Sequence, residues 1–346
     1  MKISHWLVGL FFSCALAAAY AQDVTLKVSH FLPPSSNFQQ HVLEPWCKKI
    51  NKESDGHLKC QIYPAMQLGG KPSQLVDQVK HGIADIVWTS PAFSTGRFPR
   101  IEAVELPFVM PAGSSAASKA MWEFYEKFAQ KDFTDFKVLA IHSGGSIVMD
   151  TANKPMLTLS DFSGEKLRSG SRMASRMLIA LGGTPVNMPP PQITDAVTKG
   201  VVDGAMAAWE LVPSVKLDEV TKFHTESPVG EPGFSSQAMT LLMNKKKYES
   251  LPADLKAVID RNSGQALVDA AGKAWDQATE AARAKAKAGG NEIIEIKPID
   301  YAAMRKAVAV VEQEWIKEAA AKGLDGAALS NGARSIGADQ DKQAAS

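Results

Sequence analysis

The chain has 346 residues, 45% of them apolar and 22% charged, with a formal charge of +1. This balance excludes wholesale disorder and fibrous repeats. Near-neutrality also excludes a nucleic-acid-binding surface as the main business, because phosphate neutralisation needs a basic excess.

The length predicts two domains with ample capacity to bury a core. Met1-Lys2 opens on a positive charge, residues 6–19 are almost unbroken apolar sequence, and Ala19-Tyr20-Ala21 is a small-x-small cleavage site. Residues 1–21 therefore read as a secretory signal peptide, with an uncleaved anchor as the alternative. No later stretch reaches the roughly 18 apolar residues a membrane helix needs, so the exported chain is not expected to span a membrane. Removing Lys2 from the 38 basic residues leaves 37 against 37 acidic ones.

From Val24 onward, strand-like runs at residues 24–30, 58–63 and 83–89 alternate with helical patterns at 37–52 and 71–81. Such a rhythm is the mark of an α/β fold with largely parallel sheets. Cys47 and Cys60 flank the turn Ser54-Asp55-Gly56, one about 12 Å back along a helix and the other about 13 Å on along a strand. Standing level, they can form a disulfide worth about 3 kcal/mol in an oxidising compartment. The alternative is a pair of buried free thiols. Further strands are expected at 138–142 and 146–150, then a strand at 166–169 and a helix at 171–181.

An internal echo relates Val79-Lys80-His81-Gly82-Ile83-Ala84-Asp85 to Val197-Thr198-Lys199-Gly200-Val201-Val202-Asp203. Each reads as a helix ending at glycine, where a left-handed residue is tolerated, followed by a strand start carrying Asp. Two similarly built halves facing one cleft would explain the echo; coincidence between two ordinary turns is the alternative. Beyond Pro252 the apolar residues keep helical spacing as far as Gly289-Gly290. This predicts one helix over 251–289, about 50 Å long and able to lie along both halves. A strand at 293–296 and a helix at 301–321 follow, and the polar, Ala- and Gln-rich residues 328–346 read as a frayed, flexible tail.

Reactive chemistry is not announced. Histidines stand at 5, 30, 41, 57, 81, 142 and 224 without ligand spacing, and there is no HExxH, Cys cluster, phosphate loop or nucleophile elbow. No metal site, cofactor or enzyme is therefore expected. An exported α/β protein of this kind is better read as a binding protein.

The segment Asp161-Phe162-Ser163-Gly164-Glu165-Lys166-Leu167-Arg168-Ser169 resembles the stretch leading to the ligand-binding arginine in solute-binding proteins of tripartite ATP-independent periplasmic (TRAP) transporters, of the dicarboxylate-receptor type. Further matches occur in order: Tyr63-Pro64-Ala65-Met66-Gln67-Leu68-Gly69-Gly70, Glu105-Leu106-Pro107-Phe108, Leu181-Gly182-Gly183-Thr184-Pro185-Val186 and Gly200-Val201-Val202-Asp203-Gly204. The resemblance covers essentially the whole exported chain. It implies a periplasmic, two-lobed α/β receptor, each lobe a mixed, mostly parallel sheet flanked by helices, with the long helix spanning both. Lobe 1 would hold residues 22–145 with part of 237–275, and lobe 2 residues 146–236 with part of 290–327. Such a receptor closes by hinge motion on an organic acid and delivers it to membrane permease subunits.

On the same resemblance, Arg168 grips the ligand carboxylate, a role for which a guanidinium's parallel donors are suited. Strand ends nominate His30, Phe31, Thr89 and Ser90, because open α/β sheets place ligands there. Met188 joins these candidates, and residues 146–150 can reach the cleft from the hinge. Arg172, one helical turn beyond Arg168, reads as structural.

Many relatives continue the Gly-Val-Val-Asp-Gly stretch with Gln-Glu-Asn-Pro, whose amide contacts ligand. Here Ala205-Met206-Ala207-Ala208-Trp209-Glu210 follows. Losing that amide points to an apolar pocket wall and an aromatic or apolar-bodied monocarboxylate, with Trp209 stacking on it and Phe234 opposite. The alternative for Trp209 is plain core packing. For the whole chain the alternatives are a binding protein of an ATP-driven importer or of a sensor system.

Overall fold

Aliphatic runs between amphipathic helical stretches give the alternation of strands and helices expected of such a chain. The computed structural model describes residues 23–345, so the expected signal peptide at 1–21 lies outside the described residues. The first part comprises β1 (Val24–His30), α1 (Glu44–Glu53), β2 (Leu58–Tyr63), α2 (Leu75–Lys80), β3 (Ile86–Thr89) and α3 (Ser114–Phe124). Next come β4 (Phe136–Thr151), β5 (Lys166–Ser169), α4 (Arg172–Leu181), β6 (Thr184–Asn187), α5 (Ile193–Thr198), β7 (Gly204–Ala208), α6 (Leu211–Ser214) and β8 (Phe223–Glu226). The remainder is β9 (Ser236–Asn244), α7 (Lys245–Glu249), α8 (Ala253–Arg261), α9 (Gln265–Ala288), β10 (Glu292–Glu295), α10 (Pro298–Ala321) and α11 (Gly326–Ala345).

The strands lie in the order β2-β1-β3-β9-β4-β7-β5-β6, with β8 beside β4 and β10 beside β8. β1 runs parallel to β2 and β3, and β5 parallel to β6 and β7, which gives each lobe its parallel centre. β9 and β4 are the antiparallel connectors. The strands expected at 138–142 and 146–150 are one: β4 pairs with β9 from Phe136 to Ser146, then with β7 from Ile147 to Thr151. A register shift between Ser143 and Ser146 marks the crossing from one lobe to the other. Gly145 sits there at φ +93°, and a Cβ on it would meet the Ala208 Cβ at 3.0 Å, so the crossing needs glycine.

The continuous helix expected at 251–289 is instead α8 and α9, separated by a turn at Asn262-Ser263-Gly264. Gly264 takes φ 64° and ψ −138°, outside helical geometry, and its N–H donates to Leu139 O at 2.7 Å. The helix therefore restarts against β4. α9 is still 24 residues long, about 36 Å, and it packs along α3 and β4 before its end meets β10. Its Asp276 accepts from Ser114 N at 2.7 Å, joining a carboxylate to the positive end of α3.

The tail expected to fray is also ordered, as α11. Leu329, Ala333 and Ile336 fall on one helical face and are buried against α3 and α10. Composition hid that stripe because alanine, glycine and glutamine dilute it. Cys47 on α1 and Cys60 on β2 are bonded through sulfur, their Cα atoms 5.8 Å apart. No helix among the described residues is long and apolar enough to cross a membrane.

Candidate functional site

Arg168 stands at the carboxyl end of β5, level with Val186 on β6 and Ala205 on β7. The next residues turn sharply. The Ser171 Oγ accepts from Ala174 N at 3.1 Å and caps α4. Gly170 lies under the guanidinium, where a Cβ would come within 3.0 Å of Nη1 and Nη2. Side-chain Nε donates to Met188 O at 3.0 Å and Nη1 to Met206 O at 3.2 Å. These carbonyl dipoles orient the group without neutralising it. Only 2% exposed, Arg168 has no carboxylate partner among the described residues, and burial alone lowers its pKa to about 10. It therefore stays charged at neutral pH.

That charge borders a cavity of about 40 Å³ lined by Phe31, Trp88, Phe93, Ile147, Glu210 and Trp275, among others. Lobe 1 supplies an aromatic stack. Phe31 lies flat on Trp88 at 5.2 Å with an interplanar angle of 3°, Phe38 backs Trp88 at 4.1 Å, and Phe93 meets Phe31 edge-on at 5.2 Å. The Trp88 Nε1–H donates to His142 Nε2 at 3.0 Å. An indole is only a donor, so that imidazole nitrogen must accept, and Nδ1–H then donates to Ser143 O at 2.8 Å. Burial lowers the His142 pKa to about 4, in keeping with this neutral tautomer. From β9, Gln237 Nε2 donates to Ser90 Oγ at 2.9 Å and Gly170 O at 3.4 Å, touching both lobes beside the cavity. Phe31 and Phe93 also line an outer cavity of about 860 Å³, bordered by Met188, Arg172 and Arg176. The two phenylalanines thus partition an inner chamber from the mouth of the cleft.

Of the residues nominated from sequence, Arg168 and Phe31 line the inner chamber, and Ile147 reaches it from the 146–150 stretch. Met188 supplies a carbonyl to Arg168 and borders the outer cavity. His30, Thr89 and Ser90 are fully buried outside the chamber lining. There His30 Nε2 donates to Gln39 Oε1 at 2.9 Å, and Thr89 O accepts from Thr240 Oγ1 at 3.0 Å. Trp209 and Phe234 do not line the chamber. β7 ends at Ala208, so strand alternation stops there. Trp209 turns behind the sheet, where its Nε1 donates to Glu226 Oε1 at 2.6 Å and its ring lies 4.6 Å from His224. Phe234 packs between Phe108 and Tyr301, at 6.1 and 6.2 Å. Trp88, Phe93, Glu210, Gln237, Met239 and Trp275 line the chamber without having been nominated. Only Trp88, at a strand end, carried a local signal for it.

Arg172 bonds Glu102 through Nε at 2.9 Å and also pairs with Glu318; Trp315 Nε1 donates to Glu102 at 2.9 Å. These two carboxylates hold its pKa above the ordinary arginine value despite the burial that opposes them. No group of three or more His, Cys, Asp or Glu side chains able to hold a metal occurs among the described residues.

Two lobes sharing connector strands, with a buried, uncompensated cation between them, define a solute receptor for organic anions. A family model described as bacterial extracellular solute-binding protein, family 7, matches residues 28–318, and the chain belongs to that family. It is a TRAP-transporter solute receptor, of a periplasmic family. A TRAP solute-binding protein from an unidentified marine microbe, described as specific for aromatic acid ligands and bound to metahydroxyphenylacetate, is 42% identical over 92% of this chain and 100% of that one, with a TM-score of 0.90. One from Rhodoferax ferrireducens, with copurified benzoate, is 41% identical over 93% and 99%, with a TM-score of 0.89. The C4-dicarboxylate-binding periplasmic protein DctP of Rhodobacter capsulatus is 24% identical over 88% of this chain and 90% of its own.

Proposed function

We propose that the chain is exported by cleavage after Ala21, binds an aromatic or otherwise apolar-bodied monocarboxylate in the inner chamber, and delivers it to a TRAP permease without chemical change. One observation carries the ligand class: among the described residues, the one basic side chain bordering a chamber walled by Phe31, Trp88, Phe93 and Trp275 is Arg168, which has no carboxylate partner. A carboxylate pairs with the guanidinium, and the aromatic walls take the ring. The relatives described as binding aromatic acids at 41–42% identity support the same class.

The chamber's 40 Å³ is well below the order of 150 Å³ that a benzene-holding cavity offers. Admission of a ring therefore needs Phe31 and Phe93 to give way toward the outer cavity, which a hinge motion about β4 and β9 would allow.

The test is a thermal-shift and calorimetric comparison of benzoate with succinate and malate. Ligand at 100 times its Kd adds about 2.7 kcal/mol to stability, so an aromatic acid should raise Tm where the dicarboxylates do not. Tight succinate or malate binding, with no response to aromatic acids, would overturn the assignment. Mass spectrometry of the exported chain tests cleavage after Ala21.

A further inference from the structure

Glu210 is the acid in the chamber lining, and the fold makes no visible use of its carboxyl group. It follows β7 and precedes α6, and the residue is 5% exposed. Oε1 is buried with no hydrogen-bond partner among the described residues. It forms no ion pair with Arg168, although both border the same space. Burial, acting without opposition from any cation, pushes its pKa up to about 8, so the group is mainly the neutral acid at pH 7.

A buried carboxyl without a partner is costly, and a protein retains one at little benefit unless something else completes it. The neutral form suits a place beside a bound anion, because it adds no negative charge to repel the ligand. It also offers an O–H donor and a carbonyl acceptor together. Trp275 Nε1, in the same lining, is likewise buried without an acceptor among the described residues. One hydroxyl can accept from a donor and donate to an acceptor, so it is the smallest substituent that answers such a lining.

We infer that Glu210 is a specificity-determining residue that reads a hydrogen-bonding substituent on the ligand ring, away from the carboxylate held by Arg168. The preferred class is then a hydroxy-substituted aromatic acid over the unsubstituted one. This rests on the aromatic-acid reading above and narrows it.

Calorimetry with benzoate and with 2-, 3- and 4-hydroxybenzoate separates the two. In the unmodified protein, the hydroxybenzoate whose hydroxyl reaches Glu210 should bind about tenfold tighter than benzoate, the size expected of one good buried hydrogen bond. Glu210→Leu and Glu210→Met should each reduce that ratio to within about twofold of one, and Glu210→Gln, which keeps a donor and an acceptor, should retain most of it. Cooperative melting of each variant confirms folding, and either apolar variant suffices. If benzoate binds and no isomer exceeds it, or if the preference survives both apolar substitutions, the role of Glu210 falls while the aromatic-acid reading stands. If none of the four acids binds and succinate does, both fall.

Discussion

Replacing Arg168 with methionine should remove carboxylate binding while leaving the ligand-free protein nearly as stable as before. Both halves of that expectation follow from the geometry. Burial lowers the guanidinium pKa from 12.5 to about 10. At about 1.4 kcal/mol per unit, the charged form costs the folded state about 3 kcal/mol. Because pH 7 lies below both values, that whole cost is present there. Against it stand the hydrogen bonds to Met188 O and Met206 O. Bonds from a charged donor contribute about 1.5–3 kcal/mol each, so the two terms nearly cancel. An arginine held in a completed buried ion pair behaves otherwise, since breaking such a pair costs about 3–5 kcal/mol. Loss of the ligand contact should weaken binding by about 2–5 kcal/mol, at least thirtyfold in Kd. Urea unfolding without ligand and calorimetry with benzoate read the two halves separately. A stability loss above about 3 kcal/mol in the ligand-free variant, or affinity within threefold of the original, would refute the reasoning.

Three further outcomes are expected. Stability should fall as pH rises toward 8, because burial raises the pKa of Glu105 and Glu210 from 4.5 to about 8 and the folded state keeps protons that the unfolded chain has released. Below about 6.5 the gain on lowering pH should level off, because the unfolded chain there protonates the histidines that burial keeps neutral at His30 and His142, which offsets the effect of the two carboxyls. Melting at pH 6 and 8.5 checks this, with Glu105→Gln and Glu210→Gln flattening the alkaline slope; a higher Tm at pH 8.5 would contradict it. Reducing the Cys47–Cys60 bridge should cost about 3 kcal/mol, and a melt insensitive to reductant would argue against that. Arg172→Met should uncouple Glu102 of lobe 1 from α4 and α10, enlarging the ligand-free particle in small-angle scattering and weakening ligand binding several-fold. An unchanged scattering profile would count against an interlobe clasp.

What could be read from the sequence was local. The β1 and β2 runs, the helix beginning near Ser171 and the position of Arg168 depend on neighbours within a few residues, and periodicity or motif reports them. In sequence Gly144-Gly145 looks like the end of a strand, whereas a shift in the pairing of β4 with β9 lets β4 continue into the second lobe. The break at Gly264 is hidden in sequence for the opposite reason. Apolar spacing runs on through it, and only the bond from Gly264 N to Leu139 O, 125 positions earlier, shows why the helix restarts. Trp88, Glu210, Gln237 and Trp275 converge from a strand end, a turn, a connector strand and a long helix, so no window of sequence contains the chamber.

The separation of positioning from neutralisation explains how a chain of balanced charge can capture an anion. Two backbone carbonyls hold the Arg168 guanidinium in place, and being dipoles they leave its full charge in a region of low dielectric. An acidic partner at the same position would have stabilised the empty fold and competed with the ligand. The nearby acid avoids that competition by being neutral, and its own unfilled hydrogen-bonding capacity adds a second demand on the ligand. Charge therefore sets that an anion binds, the aromatic wall sets what body it carries, and the Glu210 carboxyl selects among such bodies. Because these demands arise on separate lobes and connector strands, a ligand meets all of them only when the lobes are together, and its binding energy is thereby coupled to closure.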